Sequence, residues 1–459
     1  MTRKLSRPQM VSYLAIAAGL IATQAPAADK GLLGTWSVNS GDVGISESTD
    51  ITNVFVNSSQ AVIDWVPDDN ATGTGTPITF LDTNGTVNFR GFTDYAVLNR
   101  IGVADASRQI LLNGKINGFI GQNPGGNIFF YSPSGFIVGS SAAINVGSLV
   151  LSASPIAVTD GSFIVDGSVT FGQAPNPNAA ITTAAESDIN AFGTGSYVAL
   201  VAPQITHRGT IRTDTAAALV AAEAATINFS PDGLFNIQVT VGADPGNRLH
   251  VDGGTITRNN PENVGDHRAY LVAVAKNDAV TMLIENGGSI GFETASSATV
   301  EDNVIVLSGG GSVFNGTPFV SGSANPVNLA VDSSTFSSGV YADISGGADI
   351  RTSTSNTSFG SDPLTNSLTL FAGDDTIITA VNGNSLSFAG DLFVNIDEFG
   401  TGPITTGNQL RLSASGTGSR LTIGANAFLS AATYGADDGE GTSAGDATGG
   451  TVIVQTGSG

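Results

Sequence analysis

The chain has 459 residues, 59 of them glycine, with 12% charged residues, 41% apolar residues and no cysteine. That apolar content excludes a disordered chain, since it can bury enough surface to offset the entropy of ordering, and the missing cysteine excludes a disulfide-stapled scaffold and a cysteine-held metal. A net charge of −22 opposes partnership with nucleic acid or with an anionic lipid surface.

The first predicted element is a leader rather than part of the fold. Arg3, Lys4 and Arg7 form a basic head, an apolar stretch runs from Val11 to Ala22, and Ala25-Pro26-Ala27 supplies the small-x-small cleavage pattern at Ala25 and Ala27. The apolar run is short of the roughly 20 residues that span a bilayer, and no later stretch approaches that length. Residues 1–27 are therefore read as a signal peptide and no membrane insertion is expected. Its three basic residues leave 14 of 17 Lys and Arg against 39 Asp and Glu, a charge of −25 for the remainder. A chain that crosses a second membrane unfolded also gains from carrying no cysteine.

From Trp36 onward the sequence alternates short β-branched and aromatic runs with Gly, Asn, Asp and Ser, as in Ile128-Phe129-Phe130-Tyr131, Tyr197-Val198-Ala199-Leu200-Val201, Leu410-Arg411-Leu412 and Thr451-Val452-Ile453-Val454. Thr215 to Ala225 has helical propensity, but Leu219-Val220 and the following Thr226-Ile227-Asn228-Phe229 favour strands. A small unit recurs: Gly, a small or polar residue, then Ile or Val. It occurs at Gly85-Thr86-Val87, Gly114-Lys115-Ile116, Gly167-Ser168-Val169, Gly209-Thr210-Ile211, Gly254-Thr255-Ile256 and Gly288-Ser289-Ile290. Irregular spacing of such a unit fits coils of about 20 residues with loop insertions. Each coil would stack one inward aliphatic residue on its neighbours, with glycine at the corner. Two stretches echo one another: Gly209-Thr210-Ile211 leads into Ala218-Leu219-Val220, and Gly254-Thr255-Ile256 leads into Tyr270-Leu271-Val272, with the extra length in Asn259 to Asn263. The predicted fold is all-β, a right-handed parallel β-helix with an N-terminal cap. The end at Gly459 follows a strand with no polar cap in sight, which reads as the front part of something longer.

Residues 61 to 152 resemble the secretion domain of filamentous-haemagglutinin-type exoproteins. The matching segments run in the family's order: Ala61-Val62-Ile63-Asp64-Trp65, Val87-Asn88-Phe89, Ala96-Val97-Leu98-Asn99-Arg100, Asn113 to Gly118, Gly126-Asn127-Ile128-Phe129-Phe130 and Ile144-Asn145-Val146-Gly147-Ser148-Leu149-Val150. Where the family carries Asn-Pro-Asn-Gly, this chain has Ser132-Pro133-Ser134-Gly135, which keeps the chemistry of a proline turn. The resemblance implies a secretion domain over residues 28–240, followed by further β-helix repeats over 241–459. It implies cleavage of the leader in the periplasm and capture by the periplasmic domains of a dedicated outer-membrane two-partner secretion transporter. The chain would then be released or displayed at the surface of a Gram-negative cell as an adhesin or haemagglutinin with an unidentified receptor. By the same resemblance Asn99, Arg100, Ser132, Pro133, Ser134, Gly135, Asn145 and Gly147 are the transporter-recognition residues.

No catalytic set is predicted, and no metal or other cofactor. His207, His250 and His267 lack ligand spacing and no HExxH pattern occurs. Gly373-Asp374-Asp375-Thr376-Ile377 is a single copy of a calcium-repeat half-site and reads as a turn, and Asp437-Asp438-Gly439-Glu440 reads as a solvated loop. Two other classes stay open. One is a β-helix polysaccharide lyase or hydrolase, with Asp349 and Arg351 or Asp397 and Glu398 as candidates, which needs carboxylates gathered on one coil face. The other is a toxin or haemolysin whose effector part lies beyond this sequence.

Overall fold

Short strands joined by tight corners bury only one side each, so they must stack. In a computed structural model the chain winds them into a parallel β-helix. The structure describes residues 30–434 and 451–456, apart from 74, 230–234, 245–247, 261–264, 293–302, 315–316, 320–324, 361–365 and 400–407. The leader, with Ala25 and Ala27, and the loop at Asp437 to Glu440 lie outside the described residues, as do the side chains of Asp397 and Glu398.

Among the described residues, twelve successive coils each contribute one strand to three long parallel sheets, which form the three faces of the solenoid. The first face starts at Ile51–Val56, the second at Gln60–Pro67 and the third at Ile78–Leu81. The expected cap is present: Gly34–Ser40 pairs antiparallel with Gln60–Pro67, and Val43–Ser48 pairs antiparallel with Ile51–Val56. The Thr52 hydroxyl accepts the Leu32 N–H at 3.0 Å, closing the bottom of the core.

The recurring glycine unit is the rung of the first face. Above Thr52 the register runs Val87, Ile116, Ile144, Ile189, Ile211, Ile256, Ile290, Phe336, Phe359, Phe388 and Ile423. Five of the six units seen in the sequence stand in this single column, and the two echoed stretches lie directly on one another, Ile211 on Ile256 and Leu219 on Leu271. The glycine acts here through close approach: a Cβ on Gly114 would lie 2.3 Å from the carbonyl oxygens of Asp82 and Gly85 in the coil below. Each fully buried aliphatic rung contributes roughly 1.5–3 kcal/mol, and no coil can collect that alone.

The sixth unit, at Val169, belongs elsewhere. Its strand, Ser168–Phe171, joins Ala224–Asn228, Asn236–Val241, Ser312–Phe314 and Thr317–Phe319 in a separate sheet built from antiparallel pairs. Phe163, Phe171, Ile227, Phe235 and Ile237 from this layer pack on the outward Leu98, Phe129, Val150, Val201 and Val220 of the second face. The second face is thus buried on both sides, which explains runs such as Ala216–Ala221, apolar throughout and strand rather than helix. The layer is tied back to the first coil: Gln60 Nε2 donates to the Ile164 carbonyl, and Gln60 Oε1 accepts from the N–H groups of Phe163 and Ile164, each at 3.0 Å. The side chain of Glu223, 1% exposed, is held by Lys276 at 2.9 Å and by Gln173 at 3.0 Å.

Candidate functional site

Asn99 and Arg100 point opposite ways from one strand of the second face. Asn99 enters the core, where its Oδ1 accepts from Trp65 Nε1 at 3.0 Å and its Nδ2 donates to the Phe129 carbonyl at 3.2 Å. Three coils are thereby joined through one buried amide. Arg100 points out and grips Asp64 with two hydrogen bonds, Nε to Oδ1 at 2.6 Å and Nη2 to Oδ2 at 2.9 Å. The two segments that carry the family resemblance at Trp65 and at Asn99-Arg100 are therefore in contact. Replacing Asn99 by Leu would leave the Trp65 indole N–H without an acceptor in the core. A loss of about 2 kcal/mol is expected in urea unfolding, and adding Trp65→Phe should recover part of it, since removing both partners removes the orphan.

Ser132-Pro133-Ser134-Gly135 forms the expected turn at the next corner. The Gly135 N–H donates to the Ser132 carbonyl at 3.0 Å, the two serine hydroxyls lie 2.9 Å apart, and the Ser132 N–H donates to the Ser152 carbonyl of the coil above at 3.1 Å. Ser132, Ser134 and Gly135 are buried and Pro133 is half-buried. Asn145 sits in an outward ladder on the first face, in register with Asn53, Asn88, Asn117 and Asn190. Successive amides donate to the coil below: Asn88 to Asn53 at 3.1 Å, Asn117 to Asn88 at 3.0 Å and Asn190 to Asn145 at 3.2 Å. Gly147 lets its corner lie against Gly126, whose carbonyl accepts its N–H at 3.0 Å.

These eight residues do not converge. They occupy three coils and different faces, each as a strut in the stack. Of the eight, Gly147 lines a concavity of about 460 Å³, between the corners at Gly125-Gly126 and Gly147-Ser148 and the covering residues Ile164 and Phe229. Asp94, Asn127 and Tyr197 bring polar groups to it, and burial pushes the Tyr197 hydroxyl well above its ordinary range, with Asp94 adding to the effect.

The histidines take three different roles. His207 is fully buried, its Nδ1 2.7 Å from the Thr183 hydroxyl and its Nε2 3.0 Å from the Thr255 carbonyl. Only an Nε2–H tautomer can donate to that carbonyl, so Nδ1 accepts from Thr183. Burial lowers its pKa from 6.5 to about 4. The unfolded chain takes up a proton near pH 6.5 that the folded chain refuses until near 4. The contribution of His207 to stability is therefore complete above pH 6.5, falls by about 3 kcal/mol across that window as pH drops, and levels off below it. Urea midpoints of wild type and His207→Gln at pH 7 and 4.5 check this: the drop between the two pH values should be smaller in the variant than in wild type. His267 stacks on Phe292 with ring centroids 5.0 Å apart and is held by Asn303.

His250 stands with Asp252 and Glu285 on the outer side of the third face, their candidate ligand atoms within 4.8 Å of one another. Burial, together with Arg248, lowers the His250 pKa against the pull of Asp252 and Glu285. Sequence spacing hides this group, because Asp252 and Glu285 are paired across adjacent coils. Asp374 and Asp375 form a turn as expected, with the Asp375 carboxylate accepting the Gln409 N–H at 2.7 Å. Asp349 is joined to Arg351 at 2.5 Å as a half-exposed ion pair.

No protein-family model matches this chain, and comparison with curated proteins finds no match. Among solved structures, the chain is similar to the crystal structure of the HMW1 secretion domain from Haemophilus influenzae, with 14% identity and a TM-score of 0.40 over 92% of this chain and 98% of that one.

Proposed function

We propose that this chain is the N-terminal part of an exoprotein that leaves the cell by two-partner secretion, with residues 28–240 as the secretion domain and 241–459 as further coils for surface presentation. The observation that carries the reading is the placement of the six family-like segments. They occupy the first four coils in order, directly above the antiparallel cap. The buried positions of Asn99, Ser132, Ser134 and Gly135 add a mechanism. A transporter that reads these residues must read them before the coils close, so capture precedes folding. Completed coils then resist return, because each buries several apolar side chains at roughly 1.5–3 kcal/mol apiece. The exposed, acidic solenoid suits an adhesive role at the cell surface.

Protease treatment of intact producing cells tests this, with and without the partner pore. Wild-type cells should be shaved of the protein or release it to the medium, and pore-deleted cells should retain and degrade it. Periplasmic retention in wild-type cells, or surface arrival without the pore, would contradict the proposal. One observation favours a second reading, a polysaccharide-cleaving β-helix: Asp252 and Glu285 stack on neighbouring coils with Arg208 beside them. Depolymerisation of acidic or neutral polysaccharides by the purified chain, lost on Glu285→Gln, would establish it.

A further inference from the structure

A column of charged residues runs up the outer side of the third face where its strands end. Arg208 binds Asp252, with Nε 2.7 Å from Oδ2. Asp252 pairs in register with Glu285. The next rung in the same register brings Asp332, since Ile284 pairs with Val331, and Asp332 pairs with Arg351. Three carboxylates thus stack between two arginines. Like charges directly opposite one another across strands are destabilising, and Arg351 is engaged by Asp349. The middle carboxylate, Glu285, makes its one described side-chain hydrogen bond to His250, Oε1 to Nε2 at 3.0 Å. Among the described residues no lysine or arginine pairs with Glu285 at the centre of the column, and the charge of Arg248 acts only on His250 beside it.

His250 is built into that gap. It lies two residues before Asp252 on the same outward side, yet its side chain is only 5% exposed. Its ring is aimed at Glu285 through Nε2, while Nδ1 is buried without a hydrogen-bond partner. Because the Glu285 carboxylate only accepts, Nε2 carries the proton in the ion-free chain, and a cation between His250 and the carboxylates takes the place of that proton. Asp252 is oriented from both sides, by Arg208 and by Asn286 Nδ2 at 2.7 Å from Oδ1. Asp252 and Glu285 stay partly open to solvent, with side chains 20% and 30% exposed.

We propose that His250, Asp252 and Glu285 form a binding site for a divalent transition-metal ion of the zinc or manganese class. One imidazole nitrogen with two carboxylate oxygens suits borderline ions better than calcium or magnesium, which prefer all-oxygen shells. Ligand atoms within 4.8 Å of one another need only small side-chain rotations to meet one ion. The ion bridges two coils and supplies the charge that the carboxylate column lacks. It therefore acts as a staple across the sixth and seventh coils.

The test uses the mature chain, purified without a histidine tag, stripped with a chelator and titrated calorimetrically with zinc chloride and then manganese chloride. Saturable uptake of one ion per chain is expected, with a midpoint of thermal unfolding that rises with ion concentration. His250→Ala and Glu285→Gln should each weaken binding by about tenfold or more, while Asp374→Asn, in an exposed turn, should bind as wild type. Circular dichroism establishes that each variant is folded. Absence of saturable uptake overturns the proposal, as does wild-type affinity in both variants or displacement of zinc by an equal concentration of calcium. Binding is read on purified protein, so it stands or falls apart from the secretion reading.

Discussion

Phe359→Ala is expected to destabilise the C-terminal half of the solenoid by about 3–5 kcal/mol. Phe336, Phe359 and Phe388 stack face to face up the first-face column, with centroids 4.6 and 4.9 Å apart and ring planes within 9° and 14° of parallel. All three are buried, so truncating the middle ring removes its transfer energy and opens a cavity that touches the coils above and below. A globular core could relax around such a hole. A solenoid holds each coil only through its two neighbours, so cooperativity should suffer as well as stability. Calorimetry should show a lower midpoint and a broadened transition, with Phe359→Leu much milder. A loss below about 1 kcal/mol with an unbroadened transition would show that the column contributes little.

The second large effect is expected at Gly135. Its φ is +76°, where L side chains are strained, and a Cβ there would lie 2.0 Å from the Ala180 carbonyl oxygen of the coil above. The turn cannot move aside, because Ser132 hydrogen-bonds to the Ser152 carbonyl and Gly135 pairs with Ala180. Gly135→Val should therefore cost about 4 kcal/mol from backbone strain and overpacking together, read as a lower urea midpoint. Ser134→Ala, which only removes one hydroxyl of the 2.9 Å serine pair, should cost about 1 kcal/mol. If the turn is read by the transporter as sequence and not as folded geometry, Ser134→Ala should lower export although it barely affects the fold.

The column of rungs was legible because its residues are local: a glycine, a small residue and an aliphatic at fixed offsets mark Val87, Ile116, Ile211, Ile256 and Ile290. Ile144 and Ile189 escaped because Ala142 and Ser187 stand where the glycine was sought, and the phenylalanine rungs because Ser334, Thr357 and Leu386 stand there and the pattern asked for Ile or Val. Val169 shows the opposite failure, a matching triplet placed in the covering layer. Nothing in the sequence announces that layer, since Phe163, Phe235 and Ile237 have the same local look as rung residues and only their long-range pairing differs. Coil insertions of variable length likewise conceal lateral pairs, so the His250, Asp252 and Glu285 group is invisible in linear spacing. The resemblance singled out Asn99 and Gly135, but a structural reason for their identity became readable only with contacts: Asn99 because a buried indole needs an acceptor, and Gly135 because a carbonyl oxygen fills the place of a side chain.

The proposed export route takes the chain across the outer membrane unfolded, to wind into its coils outside. The absence of cysteine makes one measurement direct. Ser387 and Thr422 are paired in register on the outer side of the first face, and neighbouring strands lie about 4.8 Å apart, within disulfide reach. A Ser387→Cys, Thr422→Cys double variant would close a covalent loop in an oxidising periplasm. Secretion of the double variant should collapse in oxidising cells and return when periplasmic oxidation is disabled, with each single variant secreted normally throughout. Undiminished secretion of chains carrying the closed disulfide would contradict the claim, since a folded or looped chain would then be passing the pore.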